Sequence, residues 1–285
     1  MEGGLYNIVN PLSPYFMCDY YISDELDTYV WREDFDKSLI KGVDLLKNKD
    51  YSVIKDYDII QVQVSCFGYF LEEVLPFLKG KRIVLFTSQF EWPAVHKSIY
   101  TDELLENPSI LLWVSQNPIY TEKNNYMAFP YGIHQNKANF YFKFMKNNRV
   151  KKSISIPNLK LSIQSVLEEE HIRVKNPLLG EDSGDYLYYY DFLKTLLESK
   201  FIISPEGDRH DCSRHMESIG LGAIPICNVN LEEIYGDSMI YADESELNNM
   251  ALTGVTDRKY VKPNKNLVLF EWWKKKVLRR IEELK

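Results

Sequence analysis

The sequence predicts an α/β protein with two lobes, and three patterns support this prediction. Short apolar runs alternate with amphipathic helical stretches in the first half of the chain, and the same alternation begins again in the second half. A polar, basic stretch over residues 147–157 separates the two series. An isolated amphipathic helix is expected over 266–285. We therefore expect an N-terminal lobe over 1–150, a C-terminal lobe over 151–265, and a terminal helix that packs back on the first lobe.

The elements of the first lobe follow from the length and period of its apolar runs. Runs too short for a helix predict strands over 57–64, 82–87 and 110–114. Helical spacing predicts helices over 68–78 and 136–148, the second of them rich in aromatic residues. Apolar strands separated by helices are typical of a mostly parallel sheet covered on both faces.

The second lobe repeats this layout with its own strands and helices. Helices are expected over 159–170, 186–199 and 212–221, and strands over 201–204 and 223–227. Pro225 has no N–H to donate, so its position indicates a strand start or an edge strand. Ligands of open parallel sheets bind beyond the carboxyl ends of the strands, which places the expected site there.

Composition and charge exclude several classes of protein. The 285 residues carry a net charge of −7 and a sequence pI of about 5.4, which argues against a protein that tracks nucleic-acid phosphates. The four cysteines form no C-x-x-C pair, so we expect them to be reduced. No apolar stretch approaches the roughly 20 residues of a membrane span, and no signal peptide is visible. The expectation is a soluble, cytoplasmic protein.

The most informative segment covers residues 199–226. A buried strand is expected to end at Ser204, and Gly207 in the polar loop after it allows a sharp bend or close approach to a ligand. Asp211 or Ser213 is expected to cap the next helix. The amino end of a helix carries exposed N–H groups and a partial positive charge, which suit a pyrophosphate.

Two charged residues lie three positions apart on that helix. Arg214 can bind phosphate oxygens through its forked donors, and Glu217 can accept hydrogen bonds from ribose hydroxyls. The same spacing also fits a surface helix pair worth a few tenths of a kcal/mol. Spacing alone does not decide between these two interpretations.

The segment resembles the exostosin-like glycosyltransferases, whose donor domain has a strand ending in S/C-P-x-G, a polar loop, S-x-R-x-x-E-A and then G-x-I-P. The matching residues are Ser204, Pro205, Gly207, Ser213, Arg214, Glu217, Gly222, Ile224 and Pro225. Ser218 stands where the family has alanine. The strong match spans 199–226, and the rest of the chain agrees only in layout, including residues 129–134.

The resemblance implies a GT-B fold, in which two Rossmann-like lobes face a central cleft and the last helix crosses back to the first lobe. It further implies an inverting transfer of a sugar from a nucleotide diphosphate donor to an oligosaccharide or glycoprotein acceptor. The donor is usually UDP-linked, and UDP-xylose is among the candidates. The acceptor is expected to bind to the N-terminal lobe. No essential metal and no nucleic-acid partner are expected. Compact size and composition resemble a virus-encoded or microbial member. The donor-binding residues by this interpretation are Ser204, Gly207, Arg209, Cys212, Ser213, Arg214 and Glu217.

An inverting transfer needs a base near the acceptor hydroxyl, and three residues of the first lobe are candidates. Glu91 lies beside a tryptophan suited to a sugar face, although the same cluster also suits loop anchoring. His134 ends a Pro-Tyr-Gly-Ile-His turn and can instead make a structural hydrogen bond. Asp19 lies in the aromatic-rich stretch 15–21, which we interpret as a loop, and can simply be a solvated carboxylate.

Two other functions remain open on the sequence alone. A catalytically inactive module that binds a nucleotide sugar or a glycan would keep the fold without an unambiguous base. A zinc-dependent hydrolase is suggested by Asp208, His210, Cys212 and His215, which are metal-capable and closely spaced. The five-residue step between the two histidines is not the i, i+4 pair of helical zinc hydrolases.

Overall fold

The computed structural model describes residues 4–26, 37–90, 94–121, 123–147, 183–207, 209–253 and 256–285. The chain divides into two compact units. Unit 1 comprises Met1–Ala138 and Leu269–Lys285, and unit 2 comprises Asn139–Val268. Each unit contains its own parallel sheet. The predicted helix over 159–170 and most of the predicted boundary region lie outside the described residues.

Nine strands and ten α-helices are described. The strands are β1 (Tyr20–Ile22), β2 (Val43–Asp44), β3 (Ile59–Gln63), β4 (Ile83–Ser88), β5 (Ile110–Ser115), β6 (Tyr126–Ala128), β7 (Phe201–Ile203), β8 (Ile224–Cys227) and β9 (Ile240–Tyr241). The helices are α1 (Gly4–Asn7), α2 (Leu45–Asn48), α3 (Phe67–Tyr69), α4 (Ile99–Leu105), α5 (Gln135–Asn147), α6 (Ser183–Glu198), α7 (Ser213–Leu221), α8 (Glu232–Tyr235), α9 (Glu244–Thr253) and α10 (Phe270–Leu284).

Unit 1 is built on a six-stranded parallel sheet with the order β2-β1-β3-β4-β5-β6. Every residue of β3, β4 and β5 is buried, as expected for parallel strands covered on both faces. This confirms the predicted α/β class with a parallel sheet. Residues 15–21 are not simply a loop, because Tyr20 and Tyr21 begin β1. That strand has three residues, too few for alternation to reveal it.

The helical stretch predicted over 68–78 forms, but it is not one regular α-helix. The chain passes from α3 to a π-helix over Phe70–Val74 and then to a 3₁₀-helix over Leu75–Leu78. Pro76 lacks the N–H of an α-helical interior, so it fits the first turn of the 3₁₀ segment.

The last helix, α10, packs on the sheet of unit 1. It contacts β5, and the ring of the fully buried Trp273 lies 5.6 Å from that of Phe129. Val277 and Ile281 lie on the same buried stripe. An antiparallel bridge between Ile8 and Leu269 holds the start of this segment within unit 1.

Unit 2 contains a three-stranded parallel sheet with the order β7-β8-β9. Pro225 therefore lies near the start of a central strand, and the edge-strand alternative is wrong. The central position is tolerated because β9 pairs only with Ile226 and Cys227, so no N–H is required from Pro225 on that side. Among the described residues, no helix is long and apolar enough to cross a membrane.

Candidate functional site

The site that the sequence analysis singled out lies in unit 2, where β7 leads through a loop into α7. The N–H of Ser204 donates to the carbonyl of Ile226 at 2.9 Å, which ties the end of β7 to β8. Helix α7 ends at Gly222, whose φ of 86° is the left-handed conformation that favours glycine. The amino end of α7 is therefore held beyond the carboxyl end of β7.

The N-cap residue of α7 is Cys212, which corrects the expectation that Asp211 or Ser213 would cap this helix. Asp211 is fully buried, and its Oδ1 is used by two other groups. It lies 2.9 Å from Nδ1 of His215 and accepts a 2.7 Å hydrogen bond from the hydroxyl of Tyr235. Ser213 is instead the first residue of the helix.

His215 connects this buried carboxylate to the thiol at the helix start. Its Nε2 lies 3.0 Å from the carbonyl oxygen of Ser204 and 3.4 Å from Sγ of Cys212. Because Nδ1 faces Asp211, both ring nitrogens have partners within the protein. The ring thus fixes the strand end to the first turn of α7.

The charges of this cluster stabilise one another. Burial alone would raise the pKa of the Cys212 thiol, but the charge of His215 and its hydrogen bond hold that pKa below its ordinary value. Burial alone would lower the pKa of His215, but Cys212 and Asp211 raise it well above its ordinary value. The charged forms of Cys212 and His215 therefore favour each other. Burial and the Asp211 carboxylate raise the pKa of Tyr235, which stays neutral.

Two polar groups beside the first turn of α7 are buried without a partner. Arg214 donates from Nη2 to the carbonyl of Pro205 at 3.0 Å, but its Nε has no hydrogen-bond partner in the described part of the chain. The hydroxyl of Ser204 is likewise buried and unpaired there. An unsatisfied buried polar group costs about 1–3 kcal/mol, so both groups favour a ligand or water that would satisfy them.

Glu217 is buried, with 3% of its surface exposed. Its Oε1 accepts a 2.7 Å hydrogen bond from the hydroxyl of Tyr189, and its backbone carbonyl accepts one of 2.9 Å from Tyr141. The surface-pair interpretation of Arg214 and Glu217 is therefore wrong, because one member is inside the unit and hydrogen-bonded to α6.

The remaining predicted donor residues lie in or next to the same loop. A Cβ added to Gly207 would meet no atom within 4 Å, and its φ lies outside the left-handed region, so no contact within the protein requires glycine there. Its N–H donates to the carbonyl of Arg209 at 3.3 Å. Arg209 is 8% exposed. Ser218, the departure from the family pattern, donates to the carbonyl of Arg214 at 2.6 Å.

The three candidate bases fall in the sequence range of unit 1, and the structure describes two of them, Asp19 and His134. Asp19 precedes β1 at the amino edge of the sheet, where its Oδ2 accepts a 2.8 Å hydrogen bond from the N–H of Ile59. This is the edge opposite to the one at which ligands of parallel sheets bind. His134 follows β6 and accepts from the N–H of Asn136 through Nδ1 at 3.3 Å. Glu91 lies outside the described residues.

The zinc interpretation finds no geometric support in the described residues. No three His, Cys, Asp or Glu side chains among them are grouped to hold a metal ion. His210 is paired with Glu206 through Nδ1 at 2.8 Å, and both nitrogens of His215 face protein groups. Asp208 lies outside the described residues. The expectation that no metal is needed stays a prediction.

Sequence reasoning missed the residues that hold this site together. Tyr235 contacts Asp211 from 24 positions away, and Tyr189 contacts Glu217 from 28 positions away. The aspartate and histidine four positions apart on a helix start were a readable signal for a local pair. The tyrosines carried no local signal, because their partners come from other elements of the fold.

A comparison with known protein families and with curated proteins found no match for this chain.

Proposed function

We propose that this protein is an inverting glycosyltransferase that takes a sugar from a nucleotide diphosphate donor, most simply a UDP-sugar. The observation that carries the proposal is the pair of unsatisfied groups beside the amino end of α7, the Arg214 Nε and the Ser204 hydroxyl. A diphosphate supplies acceptor oxygens for both, and the helix end contributes a favourable dipole.

Within this proposal, Arg214 has two tasks that its geometry allows at once. Nη2 holds the loop carbonyl of Pro205, while the unpaired Nε would donate to an oxygen of the ligand. A guanidinium in this position stabilises the negative charge that develops on the leaving diphosphate. Positive charge from side chains can serve in place of a metal ion, so we propose transfer without an essential metal.

Glu217 would accept hydrogen bonds from the ribose hydroxyls through its carboxylate. Its burial makes it a rigid acceptor rather than a mobile surface charge. The two-lobed GT-B arrangement, the acceptor and the base belong to the proposal. His134 would have to change its hydrogen bonding before it could act as the base. Its Nδ1 accepts from a backbone N–H, which places the proton of the neutral ring on Nε2.

Calorimetric titration with UDP and UDP-sugars, including UDP-xylose, with and without EDTA, tests the proposal. Loss of a hydrogen bond to a charged group costs about 1.5–3 kcal/mol, so Arg214→Met and Glu217→Gln should each weaken binding roughly 10- to 150-fold. Arg258→Met is the matched control, because the guanidinium of this unit 2 arginine pairs only with the partly exposed Glu246 in the described chain. Binding at wild-type strength in both test variants overturns the proposal.

The alternative is a module that binds the same nucleotide sugar without turnover. Two observations support this alternative. Nδ1 of His134 already accepts from a backbone N–H, and Asp19 lies at the amino edge of the sheet. Donor hydrolysis or transfer that is abolished by Arg214→Met decides for the enzyme. Donor binding without either reaction, over a panel of sugar acceptors, decides for the module.

A further inference from the structure

Unit 1 has a topological switch point of its own. Its strand order places β1 between β2 and β3. After β1 the chain forms β2 on one side of it and then crosses over to form β3 on the other side. In open parallel sheets with this order, connections leave β1 and β3 on opposite faces and open a crevice at their carboxyl ends. Ligands of doubly wound sheets bind in that crevice.

Neutral hydrogen-bonding side chains mark this carboxyl edge. Strands β4 and β5 each end in a serine, Ser88 and Ser115, and each serine is followed by a glutamine, Gln89 and Gln116. Two further glutamines come from β3, where Gln63 is the last residue and hydrogen-bonds to Ser23 after β1. We call the set the glutamine belt, and its members, all at most 3% exposed, are Gln61, Gln63, Gln89 and Gln116.

The members of the belt are close to one another. Gln61 donates through Nε2 to the hydroxyl of Ser88 at 2.7 Å. The next residue along the chain, Gln89, donates its backbone N–H to Oε1 of Gln116 at 3.1 Å. The side chains of Gln61 and Gln116 therefore converge on two consecutive residues at the end of β4.

Three amide atoms of the belt are buried without a partner in the described chain, namely Oε1 of Gln61 and the Nε2 atoms of Gln89 and Gln116. The orientation of Gln116 is fixed, because only its carbonyl oxygen can accept from the N–H of Gln89. Buried polar groups in folded proteins are nearly always paired, so three orphans at one sheet edge indicate a missing partner.

The chemistry of the belt identifies the class of that partner. Among the described residues, none of the four glutamines hydrogen-bonds to a lysine or an arginine, and their charged partner is Glu25, which accepts from Gln63. A phosphate or a carboxylate offers acceptors only and would leave Oε1 of Gln61 without a donor. A sugar hydroxyl both donates and accepts, which satisfies amide N–H and amide C=O groups alike.

We propose that the glutamine belt of unit 1 is a binding site for an uncharged sugar. Gln89 and Gln116 donate to its hydroxyls, and Gln61 supplies the third contact. The site is separate from the nucleotide site proposed for unit 2 and does not depend on it. That the bound sugar is the acceptor of a transfer rests on the proposed function.

Gln89→Met tests this site cleanly, because it removes the orphan donor at similar volume and leaves the backbone N–H that Gln116 accepts. Melting temperatures are measured with xylose, galactose, glucose and N-acetylglucosamine, and with glucuronate and inorganic phosphate as charged comparators. The wild-type protein should melt about 2–4 °C higher in a neutral sugar at roughly ten times its Kd. Gln89→Met should show no rise, although without sugar it should melt above the wild type because no donor is left unpaired.

Asn125→Leu is the matched control, because Asn125 is an amide at the amino edge of the same sheet, where Nδ2 donates to Leu105 at 2.6 Å. It should melt lower but keep the sugar-dependent rise, as should Arg214→Met of the nucleotide site. Gln116→Met replaces Gln89→Met if the latter does not fold. The proposal is overturned if no neutral sugar stabilises the wild type, or if the glutamine variant responds to sugar like the wild type. It is also overturned if phosphate stabilises Arg214→Met, which lacks the arginine of the nucleotide site, more than a neutral sugar does. Since no nucleotide is present, failure here leaves the proposed function standing.

Discussion

The hydrogen bond between Tyr189 and Glu217 offers a direct test of how the proposed donor site is built. Tyr189→Phe removes the hydroxyl that donates to Glu217 Oε1 at 2.7 Å and leaves the ring packing intact. Burial and the charge of Glu217 raise the pKa of Tyr189 well above its ordinary value, so the hydroxyl is a neutral donor at every working pH. Its loss leaves a buried carboxylate with one hydrogen bond fewer.

A hydrogen bond to a charged group contributes about 1.5–3 kcal/mol, and this is the expected destabilisation of unit 2. All five tryptophans lie in the sequence ranges of unit 1, at 31, 92, 113, 272 and 273. Tryptophan fluorescence therefore follows the unfolding of unit 1, while hydrogen exchange of the α7 amides follows unit 2. We expect faster exchange in α7 and an unchanged fluorescence transition.

Tyr190→Phe is the control, because the adjacent side chain is 37% exposed and its hydroxyl has no partner in the described chain. It should change stability by less than about 0.5 kcal/mol. In a double-mutant cycle, Tyr189→Phe and Glu217→Gln should be coupled by about 1–2 kcal/mol. Additive effects, or a Tyr189→Phe protein as stable as the control, would show that Tyr189 does not hold the carboxylate.

Two further predictions concern the same helix. Gly220→Ala places a methyl group against the Tyr141 hydroxyl and within 3.0 Å of Val268. This overpacking should destabilise unit 2 by about 1–3 kcal/mol. Thermal melts should show that Tyr141→Phe restores part of the lost stability. The pKa of Cys212 is lowered and that of Cys66 is raised to about 11, so iodoacetamide should alkylate Cys212 at lower pH than Cys66. Mass spectrometry of each cysteine over a range of pH checks this, and equal pH profiles contradict it. Because the folded pKa of Cys212 is below the unfolded value of about 8.5, the stability from its thiolate is present above that value and is lost as pH falls through the folded pKa.

The sequence was informative about the fold wherever an element was long or fully buried. Strands β4 and β5 and helix α10 were predicted to within a few residues, because an unbroken apolar run or a helical stripe needs no knowledge of its neighbours. Strands β1 and β2 have three and two residues, and neither has a pattern of its own. Strand β1 pairs with β2 on one side and with β3 on the other, and local sequence does not reveal these pairings because the partner residues are distant in the chain.

The candidate site shows the same division between local and distant information. The turn into α7 and its termination at Gly222 follow from local residue types. The cap was predicted incorrectly because Asp211 had a stronger use: a buried histidine and a buried tyrosine both hydrogen-bond to it. The burial of Glu217 depended on Tyr189, which no pattern around the glutamate reveals. Local spacing can place residues on a helix face, but the rest of the fold decides what that face meets.

The two proposed sites differ in charge in the way that a sugar transfer requires. The unit 2 site joins a guanidinium and a helix amino end, which favour a diphosphate and oppose a second cation. The glutamine belt of unit 1 offers amide donors and an amide acceptor, which suit hydroxyl groups better than phosphate, because phosphate can only accept. A charged donor would thus be excluded from the neutral site, and a neutral sugar would gain little at the cationic one. Because each site disfavours the other site's ligand, donor and acceptor do not compete for one site. A single cleft lined by mixed charges would not separate them in this way.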